Sequence, residues 1–311
     1  MAKYLGVKYV LACSNGGAAI KLCCIANGIG PGDEVIMSPF TFIASASSVL
    51  ACGAIPKFVD IDETMNISPK EIEKNITENT KAILAIHMQG QSCDMKQILK
   101  IAKKHNLIVI EDTAQALGAE LNGKKAGTFG NCGAFSLQAG KTITCGEGGF
   151  IATNDKNIYL KAKMYHDNGG YRIGSDYPIW ENGKTIFGEN FKLTEIQSAI
   201  ANEQLKKIYK ILSKQEKVYN QIINNINTDF YNVRKNIKGA KNVHSNLSFE
   251  FKNSEECNKF IDYMNSKGIG FNIYCSNLIN KYDTFVKKQS WHNSNFPYNV
   301  SDYIDLSLIH I

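Results

Sequence analysis

One lysine, Lys141, sits in the run GAFSLQAGKTITCGEGG between Gly133 and Gly149, where most neighbours are small, apolar or hydroxylic. An amine in such a turn is partly desolvated, which lowers its pKa and frees the neutral form as a nucleophile. The plainer reading is a solvated surface lysine, so the surroundings must decide. A nucleophilic lysine of this kind suits a Schiff base with pyridoxal phosphate. That chemistry needs three further groups. A carboxylate keeps the pyridine nitrogen protonated, so that the ring acts as an electron sink. Donors at a helix N-terminus receive the phosphate. A flat group covers the ring. The chain offers Asp112 at the end of an apolar run, the turn Asn15, Gly16, Gly17, Ala18 with Ser136, and Phe42. Each has a plain alternative: a helix cap for Asp112, a turn that uses glycine for conformation alone, a core aromatic for Phe42. The joint occurrence favours the cofactor.

Gly140, Lys141 and Thr142 also look like the end of a phosphate-binding P-loop. That motif needs a glycine where Phe135 stands, and a helix opening at the lysine. The residues TITCGEGG form helices poorly, so a nucleotide triphosphatase is rejected.

Composition narrows the class further. The chain has 311 residues, 44% hydrophobic and 21% charged, which is ordinary for a globular protein large enough for two domains. The net charge of +6 is spread along the chain without a basic stripe, so no nucleic-acid partner is expected. No apolar run approaches the roughly 18 residues of a membrane span, and the N-terminus lacks the flanks of a signal peptide. The nine cysteines form no CxxC pair and no metal spacing. Buried thiols in a reducing cytoplasm fit them best.

The elements that must position these groups alternate. Strands are expected over 9–13, 35–37, 55–60, 81–87 and 107–110, then 133–137 and 150–153 on either side of the lysine. Helices are expected from Asn15 onward, over the small-residue run TFIASASSVLACG, from the capping box Ser68, Pro69, Glu71 to about Ile76, and over 95–105 and 155–166. Alternation of this length argues for a mostly parallel sheet with helices on its faces, whose ligand lies beyond the carboxyl ends of the strands. The stretch 168–190 reads as a loop at a site or interface, and 193–225 as one long helix. A strand over 244–251, a helix over 254–267 and a strand over 270–274 suggest a smaller α/β C-terminal domain. The expected division is a large domain, 1–211, and a small one, 212–311. His87, Gln89, Tyr165 and His166 are candidates to face the pocket, or structural residues.

The segment FSLQAGKTITCGEGGFIATND resembles the lysine motif of the DegT/DnrJ/EryC1/StrS sugar aminotransferases. The likeness continues at SNGGAAI, FTFIASASSVLACGAIPKFVDID, EDTAQALGA and GENFKLTEIQSAIANEQL, and covers about residues 3–210. It implies the α/β fold of the type I pyridoxal-phosphate-dependent transferases, the aspartate aminotransferase-like fold, with a mostly parallel central sheet. By the resemblance, Lys141 is the Schiff-base lysine and proton shuttle, and Asp112 pairs with the pyridinium nitrogen. Gln115 contacts the ring near its phenolic oxygen, Phe42 stacks on it, and Gly16, Gly17 and Ser136 hold the phosphate. Asn190 resembles an asparagine that reaches the phosphate of the neighbouring subunit, which implies a homodimer with shared active sites. The implied reaction moves an amino group from glutamate or glutamine to a keto sugar, nucleotide-linked or otherwise activated, for cell-surface polysaccharide or secondary-metabolite sugars.

Three departures bear on this. Gly17 replaces the family threonine of SNGT, Gln138 replaces a frequent histidine, and both termini look shorter than the family pattern. The missing threonine and the short termini motivate an alternative, a regulatory or impaired member that binds the cofactor without transamination. Lys141 is retained where the family's sugar dehydratases carry histidine, which argues for transamination.

Overall fold

Short apolar runs build a seven-stranded sheet in the computed structural model, which describes residues 1–170, 179–180, 185–226, 232–273 and 278–281. The strands are β1 (Tyr9–Cys13), β2 (Glu34–Met37), β3 (Ile55–Phe58), β4 (Thr80–Ile86), β5 (Ile108–Asp112), the short β6 (Glu120–Leu121) and β7 (Lys124–Lys125), β8 (Cys132–Ser136), β9 (Gly149–Thr153), and the two-residue β10 (Asn232–Val233), β11 (Ala240–Lys241) and β12 (Phe249–Glu250). The helices are α1 (Ala2–Leu5), α2 (Gly16–Ala26), α3 (Ala44–Leu50), α4 (Pro69–Lys74), α5 (Met95–His105), α6 (Lys156–Tyr165), α7 (Glu195–Leu205), α8 (Ile208–Ile223) and α9 (Ser254–Ser266).

The large sheet runs in the order β1-β9-β8-β5-β4-β2-β3. Pairing is parallel from β3 through β8, while β9 lies antiparallel between β8 and β1. The sheet is therefore mostly parallel, as expected. Both faces are covered, which explains why the strands read as near-continuous apolar runs. Side chains alternate between the faces. Val35, Met37, Leu84, Ile86 and Ile110 join one core with residues of α2, α3 and α6. Ile36, Ile83, Ala85 and Val109 join the other with residues of α4 and α5.

Polar side chains fix where the helices start. Asn15 accepts the Ala18 N–H at 2.8 Å and opens α2. Ser68 accepts the Glu71 N–H, with Pro69 in the first turn of α4. Thr194 and Gln197 form a full capping box on α7.

Beyond residue 190 the structure departs from three expectations. The helix expected over 193–225 is two helices, broken at Lys206 and Lys207. The break turns Ile208 inward, where it is 1% exposed among Leu5, Leu117 and Phe135. Leu212 of α8 packs on the core residues Ala116, Ala119 and Val243. The strand expected over 244–251 shrinks to β12, paired with β10. The chain before it is engaged elsewhere: Val243 N–H donates to the Gly90 carbonyl at 2.8 Å, and Ser248 Oγ donates to Gln89 Oε1 at 2.7 Å. No strand forms over 270–273; Phe271 instead packs on Phe249 and Phe260 while its N–H bonds Asn265 Oδ1. Tyr274 and 282–311 lie outside the described residues, as do 171–178 and 181–184 of the expected loop.

Among the described residues no helix is long and apolar enough to cross a membrane, and no cluster could hold a metal ion. Cys13, Cys23, Cys24, Cys93, Cys132 and Cys145 are free and buried. Burial pushes the Cys13 thiol up to about 12. Burial and a hydrogen bond with Cys132 hold Cys23 up, and a hydrogen bond with Cys52 together with burial does the same for Cys24. Cys13, Cys23 and Cys24 should therefore stay protonated in the native protein, and burial alone shields the other three. Labelling with a disulfide reagent at mildly alkaline pH, followed by peptide mapping, should leave all six unmodified until denaturant is added.

Candidate active site

Strands β1, β5 and β8 run in the same direction, so Cys13, Asp112 and Ser136 end at one edge of the sheet. α2 starts at this edge, directly after Asn15. A β-carbon on Gly16 would stand 2.9 Å from Ser136 Cβ. Only glycine lets the first turn of α2 approach the end of β8 this closely. The N–H groups of Gly16 and Gly17 have no intrahelical acceptor, because they lie in that first turn. Ser136 is buried beside them, and its Oγ accepts the Gln138 N–H at 3.3 Å. The helix terminus, two free N–H groups and a hydroxyl make a cradle for an anion.

Asp112 is buried at the end of β5. Its Oδ2 accepts Ser45 Oγ at 2.8 Å and its Oδ1 accepts the Ala114 N–H at 3.1 Å. Thr41 lies 2.9 Å beyond, oxygen to oxygen, on the Ser45 hydroxyl. No cation pairs with Asp112 among the described residues. Each oxygen keeps a lone pair for a further donor.

Its neighbour Glu111 is fully buried on the opposite face. Oε1 accepts the N–H groups of Phe129 and Gly130 at 2.6 and 2.7 Å, and Oε2 accepts the Gly127 N–H at 2.7 Å. His87 Nε2 completes the set at 2.9 Å. The Cys93 N–H donates to His87 Nδ1 at 3.0 Å, which leaves the ring proton on Nε2, pointing at Glu111. His87 is thus a structural residue, tied away from the edge.

Lys141 lies in the loop that joins β8 to β9, half-buried between exposed Gly140 and buried Thr142. The loop is closed at its base. Leu137 N–H donates to the Gly148 carbonyl, and Cys145 N–H donates to the Leu137 carbonyl. Gln197 Nε2 of α7 holds the Glu147 carbonyl at 2.8 Å. Among the described residues nothing bonds or pairs with the Lys141 ammonium. The P-loop reading fails here too: no helix opens at Lys141, and Phe135 is stacked on Phe150 at 4.4 Å inside the sheet.

Phe42 precedes α3 and is 67% exposed, so the core alternative is overturned. Gln115 is half-buried and its Oε1 accepts the Gln89 N–H at 2.8 Å. Asn190 is exposed and accepts the Lys192 N–H. The carbonyl of the next residue, Phe191, takes the Ser14 N–H at 2.8 Å, beside the α2 turn. Tyr165 and Lys21 both bind the Glu189 carboxylate, at 2.6 and 2.5 Å. His166 is buried and its Nδ1 lies 2.7 Å from the Lys163 carbonyl.

Residues 1–305 match the model of the DegT/DnrJ/EryC1/StrS aminotransferase family. The chain belongs to this family. It is 45% identical over 218 residues to a GDP-perosamine synthase of Caulobacter vibrioides, a match covering 70% of this chain and 57% of the relative. A GDP-perosamine synthase of Escherichia coli O157:H7 is 37% identical, over 84% of this chain and 70% of its own. The chain therefore spans little more than half the length of the first of these relatives. A solved structure of ntda from Bacillus subtilis with bound cofactor PMP superposes with a TM-score of 0.79 and 30% identity, covering 92% of this chain and 65% of that one. The fold is that of the type I pyridoxal-phosphate-dependent transferases.

The residues at the edge fit the family's cofactor, pyridoxal phosphate. The cradle at Gly16 suits a phosphate, and among the described residues Asp112 is a buried acceptor without a competing cation and Lys141 has an unpaired amine. Three supporting residues escaped the sequence reading. Ser45 and Ser48 are buried on α3 while Ser47 faces solvent, a polar i, i+3 pair that could have been noticed. Glu111 acts through partners distant in sequence, which no local pattern marks.

Replacing Glu111 by alanine leaves three N–H groups and His87 without their acceptor. Loss of one member of such a buried charged network costs about 3–5 kcal/mol. Urea unfolding of Glu111→Ala should show a loss of that order, with no comparable loss for an exposed acid such as Glu73.

Proposed function

We propose that the protein transfers an amino group from an amino acid, glutamate or glutamine, to a keto sugar that is nucleotide-linked or otherwise activated. The products would serve cell-surface polysaccharide or secondary-metabolite sugars. The observation that carries this reading is the placement of a lysine loop and a buried, cation-free Asp112 at one edge of the sheet, beside a helix N-terminus built on Gly16. Two relatives carry the name of a synthase of a GDP-linked product, which favours a nucleotide-linked acceptor.

Bound pyridoxal phosphate supplies an electron sink for the carbon that loses or gains a proton. Lys141 would anchor it through Nζ, and its amine, when free, would carry that proton between carbon centres. Asp112 would keep the ring nitrogen protonated, with Ser45 holding the carboxylate in line. Phe42 would cover the ring and Gln115 would contact its phenolic oxygen. Gly16, Gly17 and Ser136 would hold the phosphate, joined by Asn190 of the partner subunit in a homodimer. Apolar surface near Asn190 supports that assembly: Phe187 is 99% exposed and Ile196 76%. The division into domains 1–211 and 212–311 and a cytoplasmic setting belong to the same reading; the free buried thiols suit a reducing compartment.

Purified protein supplied with the cofactor should absorb in the visible, and borohydride should fix the cofactor to the peptide holding Lys141. Lys141→Ala should lose amine exchange by about 10²–10⁴-fold, the range of a positioned acid–base group. Asp112→Asn should retain the covalent label but slow exchange by about 10²–10³-fold, as for loss of one preorganised charge. Colourless protein that takes up no cofactor would overturn the reading. Stable colour with no exchange from either donor would leave the binding-only alternative.

A further inference from the structure

A second, small cleft opens where the 232–248 segment meets the loop after β4. Gln89, Tyr219, Arg234, Asn242, His244 and Ser248 are among its lining residues. It is polar, and its cation is incompletely used. Arg234 Nε donates to the Thr64 carbonyl and Nη1 to the Met88 carbonyl. Its Nη2 is buried and has no partner among the described residues. Among the described residues no carboxylate lies within ion-pair distance of the guanidinium. Burial pushes its pKa down to about 10, so the environment disfavours the cation that it contains. Asp62 acts on the guanidinium only from beyond ion-pair distance, so its direct partners are carbonyl dipoles, and an anion would add the close partner it lacks.

The lining also holds an acceptor. Gln91 Nε2 donates to the Lys235 carbonyl, which fixes the orientation of its amide. Gln91 Oε1 then accepts Asn242 Nδ2 at 3.1 Å, so the Asn242 amide is oriented as well. Asn242 Oδ1 is buried without a partner among the described residues. The cleft thus combines a free charged donor with a free neutral acceptor. Tetrahedral dianions match this set poorly, since the acceptor would repel them. A small carboxylate that carries a neighbouring N–H or O–H group matches both.

We propose that this cleft binds a small carboxylate through Arg234 Nη2. The site also reports to the sheet edge. Gln89 holds a left-handed backbone, φ 50°, which a non-glycine residue adopts at a cost. Two bonds maintain it: Ser248 Oγ to Gln89 Oε1 at 2.7 Å, and Gln89 N–H to Gln115 Oε1 at 2.8 Å. One residue therefore lines the cleft with its side chain and orients Gln115 with its backbone. Binding at Arg234 is independent of the proposed transamination; only the link to Gln115 rests on it.

The test uses the full chain with 13C-labelled acetate as the probe, read by NMR line broadening at fixed ionic strength against sodium chloride. Acetate should broaden saturably, and chloride should not compete. Arg234→Gln should weaken acetate at least tenfold. That variant could unfold, because Arg234 ties two carbonyls, so Asn246→Asp provides an independent arm. Asn246 is exposed at the cleft, and a carboxylate there should repel acetate by a similar factor in a protein of unchanged melting temperature. Displacement of acetate by L-glutamate would support the site and assign the amino donor as its source. Acetate binding untouched by glutamate would support it with a free carboxylate as the source. Broadening that is unsaturable, reversed by chloride, or unchanged in folded Asn246→Asp would overturn the proposal.

Discussion

The Glu111 carboxylate is the contact on which the site's geometry depends. A fully buried carboxylate is tolerable only when its lone pairs are filled, and four donors fill them here. Three come from the backbone of 127–130, the approach to β8, and the fourth from His87 at the end of β4. One side chain of β5 therefore locks the ends and approaches of both neighbouring strands. Period-two alternation does the rest. With Glu111 held on one face, Asp112 must emerge on the other, toward α2 and α3, where Ser45 meets it. The pair of acids works as anchor and tool on opposite sides of one strand.

The antiparallel β9 is the second constraint. A parallel partner for β8 would need a crossover, carrying the chain to the far edge of the sheet before returning. Because β9 runs back along β8, with Gly149 opposite Ser136, the connection stays at the carboxyl edge. The lysine loop is that connection. Its length, 137–148, is spent on internal closure by Leu137, Thr144 and Gly148 rather than on reach. Lys141 is thereby presented at the edge that holds Asp112 and the α2 turn.

This division explains what the sequence disclosed. β1 and α5 have the bounds expected of them, because a short apolar run closed by Ser14 and a strongly amphipathic helix capped by Asp94 are determined locally. Lys141, Asp112 and the Gly16 turn were likewise visible as residue types in local context. The rest depends on distant partners. β12 is short because 242–248 bonds the 88–91 loop, and nothing in 244–251 alone records that engagement. Ser45 reads as a small helix residue until Asp112, 67 positions away, appears beside it. Phe42 was ambiguous for the opposite reason: an aromatic beside an apolar helix belongs to the core by default, and only exposure shows otherwise.

The glycine at position 17 invites the inference that a phosphate contact has been lost, and the packing argues against it. A β-carbon on Gly17 would stand 3.3 Å from Ser48 Oγ and 3.3 Å from Asn15 Oδ1. The space a threonine would enter is already bordered by a buried hydroxyl from α3. A branched side chain there would press on Asn15, whose carboxamide caps Ala18 and sets the start of α2. Glycine keeps that cap intact and leaves its own N–H open. The turn therefore retains two backbone donors and the Ser136 hydroxyl, with Ser48 placed to add another.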